Sequence, residues 1–124
     1  MSVEEVRQIT SDNNVKSIVW FALKYQQAQN GKMPETMNDV ARYSGGDFEI
    51  FYSRLPTFPT PSDSLTNIDA INANTSYCLV HKPNSKVLAY EKPGLWSDGT
   101  VAVGLSDLTV KRLSAKEFSA LALH

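Results

Sequence analysis

The side chains that could perform chemistry are few and widely separated in this sequence. Histidine occurs only at His81 and His124, and the single cysteine is Cys78. Neither histidine belongs to a His-x-x-x-His or Cys-x-x-Cys pair, so a zinc site of the usual spacing is not predicted. Cys78 and His81 lie three residues apart in a predicted strand, where they point to opposite faces and cannot form a nucleophile–base pair. The sequence therefore predicts no catalytic residue and no enzyme activity.

A calcium site formed by acidic loop residues is one alternative to a protein without a bound metal. Calcium takes six to eight oxygen ligands, often from loop carboxylates, hydroxyls and carbonyls, and Ser97-Asp98 offers some of these. A simple turn at Asp98-Gly99 is the preferred interpretation. Asp98 and Asp107 lie at opposite ends of one predicted strand, too far apart to share a proton. No cofactor is predicted, with calcium retained as the alternative.

The charge balance argues against a nucleic-acid partner. Acidic and basic residues nearly cancel, 13 against 12, and Lys111-Arg112 is an isolated basic pair. The longest apolar run, residues 18–23, is far shorter than the ~20 residues that span a membrane. The chain is therefore expected to be soluble as given, and any membrane segment would lie outside this sequence.

Residues 1–30 predict one long helix. Ser2 and Glu5 have the spacing of a capping box, and Asn30-Gly31 supplies the stop. Weak helix formers at residues 10–14 could interrupt it. One arc is apolar and should pack on a sheet; it consists of Val15, Ile18, Val19, Ala22 and Tyr25.

Trp20 breaks this pattern, because it projects among Lys16 and Lys24 on the polar side of the helix. Either lysine stems or a later loop cover the ring, or the ring contacts a neighbouring subunit. Trp20 and Lys24 are therefore candidate interaction residues. Trp96, in a loop bracketed by Pro93-Gly94 and Asp98-Gly99, is the third.

Residues 31–75 predict a second helix at 36–43, a further helical turn at 47–53 and a long proline-rich connection over the surface. Residues 76–124 predict antiparallel strands at 76–81, 86–91, 100–105 and 108–113. A second capping box at Ser114 and Glu117 opens a terminal helix that runs to Leu123. The whole chain, residues 1–124, is expected to form a single α+β domain with a sheet of three to four strands.

Two strand patterns predict which side chains share a face. In the third strand, the large residues Val101, Val103 and Leu105 alternate with the small Ala102 and Gly104. In the second strand, strict alternation places Val87 with Ala89 and Leu88 with Tyr90.

With these elements in place, the chain resembles the soluble region of type IV pilin-like proteins, in particular the bacterial pseudopilins of type II secretion. Residues 23–35 (LKYQQAQNGKMPE) are similar to the helix exit of that family, where an aromatic residue, a polar stretch, Asn-Gly and then Pro follow one another. Residues 38–43 resemble its second helix, and residues 87–93 and 101–113 resemble its closing strands.

The sequence also departs from the family pattern. One pilin-like subgroup carries a His, nine further residues and then Asp-Gly in its last hairpin, where this chain has Ser97 and Asp107-Leu108. The cleavable basic leader and the apolar anchoring half of the helix are also absent from the sequence. Some members bind calcium in the final strand loop, but the ligands do not match residues here.

The resemblance implies a non-enzymatic headgroup that packs into a helical filament. It also implies a periplasmic or cell-surface location, with inner-membrane anchoring of the full-length form. Its partners would be other pilin-like subunits or secretion-system components. The alternative is a small ligand- or protein-binding module, with Trp96, Phe58 and Tyr90 as pocket walls. A third alternative, an enzyme, would depend on dispersed carboxylates such as Asp98 and Asp107.

Overall fold

A long helix packs on one face of a four-stranded antiparallel sheet. The computed structural model describes residues 2–45, 48–53, 71–82 and 85–121. Its elements are α1 (Val3–Ala28), α2 (Met37–Ala41), a 3₁₀ turn (Glu49–Phe51), α3 (Ile71–Asn74), β1 (Tyr77–Leu79), β2 (Val87–Glu91), β3 (Val101–Leu105), β4 (Val110–Leu113) and α4 (Ala115–Ala120). The strands follow the order β1-β2-β3-β4. The predicted α+β arrangement is confirmed.

The boundaries of α1 follow from its end residues. The Ser2 hydroxyl accepts a hydrogen bond from the Glu5 backbone N–H, and the Glu5 carboxylate accepts one from the Ser2 N–H, as the capping box predicts. The helix continues through residues 10–14, so the interruption considered there does not occur. After Ala28, Asn30 and Gly31 adopt positive φ values of 56° and 88°. Glycine takes this backbone conformation without strain, which explains the stop.

The predicted apolar arc of α1 is buried against the sheet. Val15, Ile18, Val19 and Ala22 are fully buried, while the half-buried Tyr25 packs edge-on against Tyr43 of the loop after α2.

Small residues in β3 let the helix approach this closely. A Cβ atom at Gly104 would lie 2.6 Å from a Val19 methyl and 2.7 Å from a Val15 methyl. Glycine at this position is therefore a requirement of helix–sheet packing.

The outer face of the sheet carries a second apolar cluster with α4. The predicted large face of β3, Val101, Val103 and Leu105, lies in it, and Phe118 of α4 packs against Tyr90 with ring centroids 5.1 Å apart.

The predicted alternation of β2 is wrong. A register shift between Val87 and Ala89 breaks the pairing with β3. Leu88 and Ala89 consequently both face α1, and Val87 shares the outer cluster with Tyr90. A β-bulge has this effect because one extra residue resets which side chains face inward.

The shorter predicted elements are present in part. The second helix starts after a Thr36 capping box and is shorter than predicted. The helical turn predicted at 47–53 is a 3₁₀ turn at Glu49–Phe51, which carries Phe51 into the core, and residue 47 lies outside the described residues. The terminal helix begins after Ser114 as predicted. Residues 54–70, which include Phe58, and Leu123 lie outside the described residues.

Two further features of the described residues concern the helices and the turn between β3 and β4. None of the helices there is both long and apolar enough to cross a membrane. Leu108, at the position where the resemblance expects Gly, adopts a positive φ of 70°. The turn of the last hairpin thus has the backbone that glycine would adopt without strain.

Candidate functional site

A polar cluster is buried between the first half of α1 and the sheet. Its centre is Glu91 at the end of β2, which is 0% exposed. Its Oε1 accepts hydrogen bonds from the Ala102 backbone N–H (2.7 Å) and from Nη1 of Arg112 (3.0 Å). Its Oε2 accepts from the Trp96 indole N–H (3.0 Å) and from the Ser11 hydroxyl. A carboxylate has about four lone-pair sites, so these donors saturate Glu91.

Arg112 of β4 joins Glu91 to the helix. Its second guanidinium nitrogen, Nη2, forms an ion pair with Asp12 of α1, and the guanidinium lies 5.7 Å from the centre of the Trp96 ring. Burial works against the positive charge, but the hydrogen bonds and attraction of Glu91 and Asp12 outweigh it and raise the Arg112 pKa. Burial raises the pKa of Asp12, although Arg112 opposes this rise. One cation thus lies between two carboxylates.

Tyr77 of β1 extends the cluster on its other side. Its hydroxyl lies 2.9 Å from the Ser11 hydroxyl and accepts a hydrogen bond from the Asn14 amide at 3.1 Å. Burial raises the Tyr77 pKa to about 12, since the tyrosinate would be desolvated beside Glu91. The neutral phenol is therefore the state that this site stabilises.

The cluster fastens elements together and presents no free charged group. A cavity of about 480 Å³ opens beside it, with Arg7, Thr10, Ser11 and Asn14 of α1 among its lining residues. The described residues that line this cavity do not include Glu91, Arg112 or Trp96. Because their polar atoms already have partners within the protein, the arrangement supports rigidity rather than proton transfer.

The sequence prediction missed this cluster. Trp96 was expected to be an interaction residue, but it is 4% exposed and its indole bonds to Glu91, so in the isolated chain it is a core residue. The alternation of residues 110–113 carried a signal, because it places Arg112 on the same face as Val110. An arginine on an inward face requires a buried carboxylate partner, and Glu91 is that partner.

The residues of the calcium alternative, Ser97 and Asp98, form hydrogen bonds within the protein. The Glu4 carboxylate accepts hydrogen bonds from the backbone N–H (2.6 Å) and hydroxyl (2.5 Å) of Ser97. Asp98 accepts from the Gln8 side chain and from Thr100, and these bonds lower its pKa. Among the described residues, no group of three or more His, Cys, Asp or Glu side chains could hold a metal ion. The expectation of no cofactor, with calcium as the alternative, stays a prediction.

The outer face of α1 carries the other two predicted site residues. Trp20 is 46% exposed, and the Lys24 ammonium lies 5.2 Å from the centre of its ring, an arrangement typical of a cation–π contact. The structure therefore brings Trp20 and Lys24 together and separates them from Trp96. The same helix exposes three further apolar residues, namely Val3, Val6 and Ile9. At 100° per residue, Val6, Ile9 and Trp20 share the side opposite the buried arc.

A second cavity lies on the outer face of the sheet. It measures about 500 Å³, and its lining includes Cys78, Tyr90, Val101 and Phe118. Burial raises the Cys78 pKa, so its thiol is held in the protonated, weakly nucleophilic form. Tyr90 lines this cavity, whereas Trp96 is not among its described lining residues. The predicted pocket with Trp96, Phe58 and Tyr90 as walls stays a prediction, because Phe58 lies outside the described residues.

The His81 side chain, which is not expected to pair with Cys78, contacts the segment before α2. The His81 ring nitrogen Nε2 lies 2.9 Å from the Glu35 backbone carbonyl oxygen. His81 therefore ties β1 to the segment before α2.

Comparisons with protein-family models, with curated proteins and with solved structures found no match. The function is therefore inferred from the fold and from the surfaces described above.

Proposed function

We propose that this chain is a pilin-like subunit that acts without catalysis, through protein–protein contacts made by the outer face of α1. We define that face by Val6, Ile9, Trp20 and Lys24. The observation that carries the proposal is the division of α1 into two faces. One is fully buried on the sheet and the other leaves Trp20 46% exposed.

An exposed tryptophan on a rigid helix is a suitable contact residue. Tryptophan and arginine are enriched among residues that dominate binding energy, and lysine stems can cover an aromatic ring until a partner replaces them. The cation–π contact with Lys24 holds the Trp20 ring in place before association, which reduces the entropy lost on binding. The helix itself is anchored over its whole length, so this surface is preorganised.

Photocrosslinking in the source cells tests this proposal. A photoreactive phenylalanine analogue replaces Trp20 in the native protein, and a matched variant carries it at Lys116, which is exposed on α4. We expect crosslinked species at multiples of the chain mass from position 20 and none from position 116. An absence of crosslinks at position 20, or equal crosslinking at both positions, would contradict the proposal.

The cavity on the outer face of the sheet favours a second candidate, a small binding module. Its volume of about 500 Å³ is within the range of ligand sites, which are mostly apolar with a few polar groups. The fluorescence of 8-anilinonaphthalene-1-sulfonate with the whole chain tests it. Saturable binding that is lost in Ala115→Trp, which would fill the cavity, supports this function. Binding that is absent, or unchanged in Ala115→Trp, argues against it.

A further inference from the structure

The two edges of the sheet are covered to different extents. At the β1 edge, the 3₁₀ segment bonds to the residues that lead into the strand. The Phe51 carbonyl accepts hydrogen bonds from the Ser76 N–H (3.0 Å) and the Thr75 hydroxyl (2.6 Å), and the Ser53 N–H donates to the Ser76 hydroxyl (2.7 Å). Strand β4 forms the opposite edge.

The register of β4 identifies which of its backbone groups point away from the sheet. The Leu105 N–H donates to the Thr109 carbonyl, and Val103 pairs with Lys111 and Val101 with Leu113. In an antiparallel ladder the bonded pairs alternate with unbonded ones. The N–H and C=O groups of Val110 and Arg112 therefore point outward.

These four outward groups have no hydrogen-bond partner among the described residues. The turn, loop and cap bonds of this part of the chain include none from the backbone of Val110 or Arg112. An uncovered edge with paired donors and acceptors is a template for an added strand. Two residues of such a strand would complete four hydrogen bonds.

Charge disfavours a second copy of this chain as the added strand. Lys111 is exposed on the outer face of β4, between the two outward residues. Symmetric antiparallel pairing of two β4 strands through Val110 and Arg112 would place two Lys111 side chains directly opposite each other. Like charges in that position destabilise the pair, and edge lysines are a common protection against self-pairing.

The same charge favours an acidic partner strand. A carboxylate opposite Lys111 would form a cross-strand ion pair, and an apolar residue next to it would face Val110 on the helix side of the sheet. Lys111 is exposed and supplies the positive charge beside the open edge.

We infer that the β4 edge binds an extended acidic segment of another protein by strand addition, with a carboxylate of that segment opposite Lys111. This site lies apart from the outer face of α1 and does not depend on the proposed function. The bound segment would extend the sheet to five strands.

Amide exchange and peptide titration of the whole, ¹⁵N-labelled chain test the inference. The probe is an acetylated and amidated peptide of sequence Thr-Val-Glu-Val-Thr, and the matched control peptide has Lys in place of Glu. The Lys111 amide, which bonds inward to Val103, is the internal reference. We expect fast exchange at Val110 and Arg112, slowed by the acidic peptide, and slow exchange at Lys111 throughout.

The variant Lys111→Glu separates the contribution of the Lys111 charge to peptide binding from that of the open backbone groups. We expect this variant to weaken binding of the acidic peptide by about two- to tenfold and to strengthen binding of the lysine peptide. Three results would overturn the inference: protection of Val110 and Arg112 without peptide, equal binding of both peptides, or no amide shift at millimolar peptide. Protection that grows with protein concentration alone would assign the edge to a second copy instead.

Discussion

The two halves of α1 are held to the sheet by different forces. The second half, from Val15 onward, is fastened by fully buried aliphatic side chains. In the first half only Ser11 is buried. That half is held by hydrogen bonds and ion pairs to distant residues, namely Glu4 to Ser97, Gln8 to Asp98, Ser11 to Glu91 and Asp12 to Arg112.

This difference shows how one helix can be attached strongly to the sheet and also be held in one orientation on it. Apolar packing is strong but not directional, and it tolerates small shifts. Hydrogen bonds in a buried network require a unique geometry, and a partly satisfied network is costly. The aliphatic half therefore supplies most of the attraction, while the polar half fixes the rotation and register of the helix on the sheet.

Glu91→Ala is expected to have the largest effect, because it tests the polar half directly. It should lower the free energy of unfolding by roughly 3–5 kcal/mol, since Arg112 loses its buried counter-charge and the Ala102 N–H loses its acceptor. Urea unfolding measures the change. Glu35→Ala is the matched control, because that side chain is 73% exposed, and it should cost less than about 0.5 kcal/mol. Similar losses in both variants would show that the cluster is not a structural centre.

Ile18→Ala tests the aliphatic half. We expect a loss of roughly 2–5 kcal/mol, because the fully buried side chain leaves a cavity under the helix. Trp20→Ala, on the opposite face, should cost about 1 kcal/mol or less. Thermal and urea unfolding of the two variants measure these losses of stability. Equal losses would mean that the two faces of the helix are assigned wrongly.

Raising the pH should weaken the polar half through Tyr77. The folded-state pKa of Tyr77 is raised to about 12 from 10, so its contribution is complete below pH 10 and is lost as the pH rises to 12. A shift of this size corresponds to roughly 2–3 kcal/mol. Tyr90 shows the same direction and value, so Tyr77→Phe should reduce, but not abolish, the loss of stability between pH 10 and 12. An unchanged slope in Tyr77→Phe would contradict the prediction.

Among the substitutions at buried positions, Gly104→Ala is expected to have the smallest effect, and it tests the close packing of the aliphatic half. The new methyl group meets Val15 and Val19 and should cost about 1–3 kcal/mol through overpacking. Combined with Val19→Ala, the two changes should be non-additive by at least about 0.5 kcal/mol, because the second makes room for the first. A double-mutant cycle from urea unfolding measures this coupling, and strict additivity would rule out the close contact.

The difference between the two halves of α1 also explains which features could be predicted from the sequence. The aliphatic arc and the capping boxes depend on local spacing, which periodicity reveals directly. The polar half depends on residues that lie far apart in the sequence. Residues 10–14 are weak helix formers by local propensity, yet their side chains bond to β1 and β4, so tertiary contacts override that propensity.

The candidate sites divide in the same way. Exposure of Trp20 followed from its place on the polar side of α1, and the predicted neighbour Lys24 does contact it. Trp96 could not be placed, because its burial depends on Glu91, and a glutamate at a strand end reads equally well as a surface residue. The bulge in β2 was invisible for a similar reason, since alternation alone does not reveal an inserted residue.

The ion pair between Asp12 and Arg112 also has a consequence for the time course of folding during synthesis on the ribosome. The two residues are 100 positions apart. A ribosome adds roughly 5–20 residues per second, so Asp12 is made about 5–20 s before its partner exists. During that interval β4 is incomplete and Asp12 lacks the counter-charge of Arg112. A synonymous codon change that slows translation between β1 and β4 would lengthen this wait without altering a single contact in the finished fold.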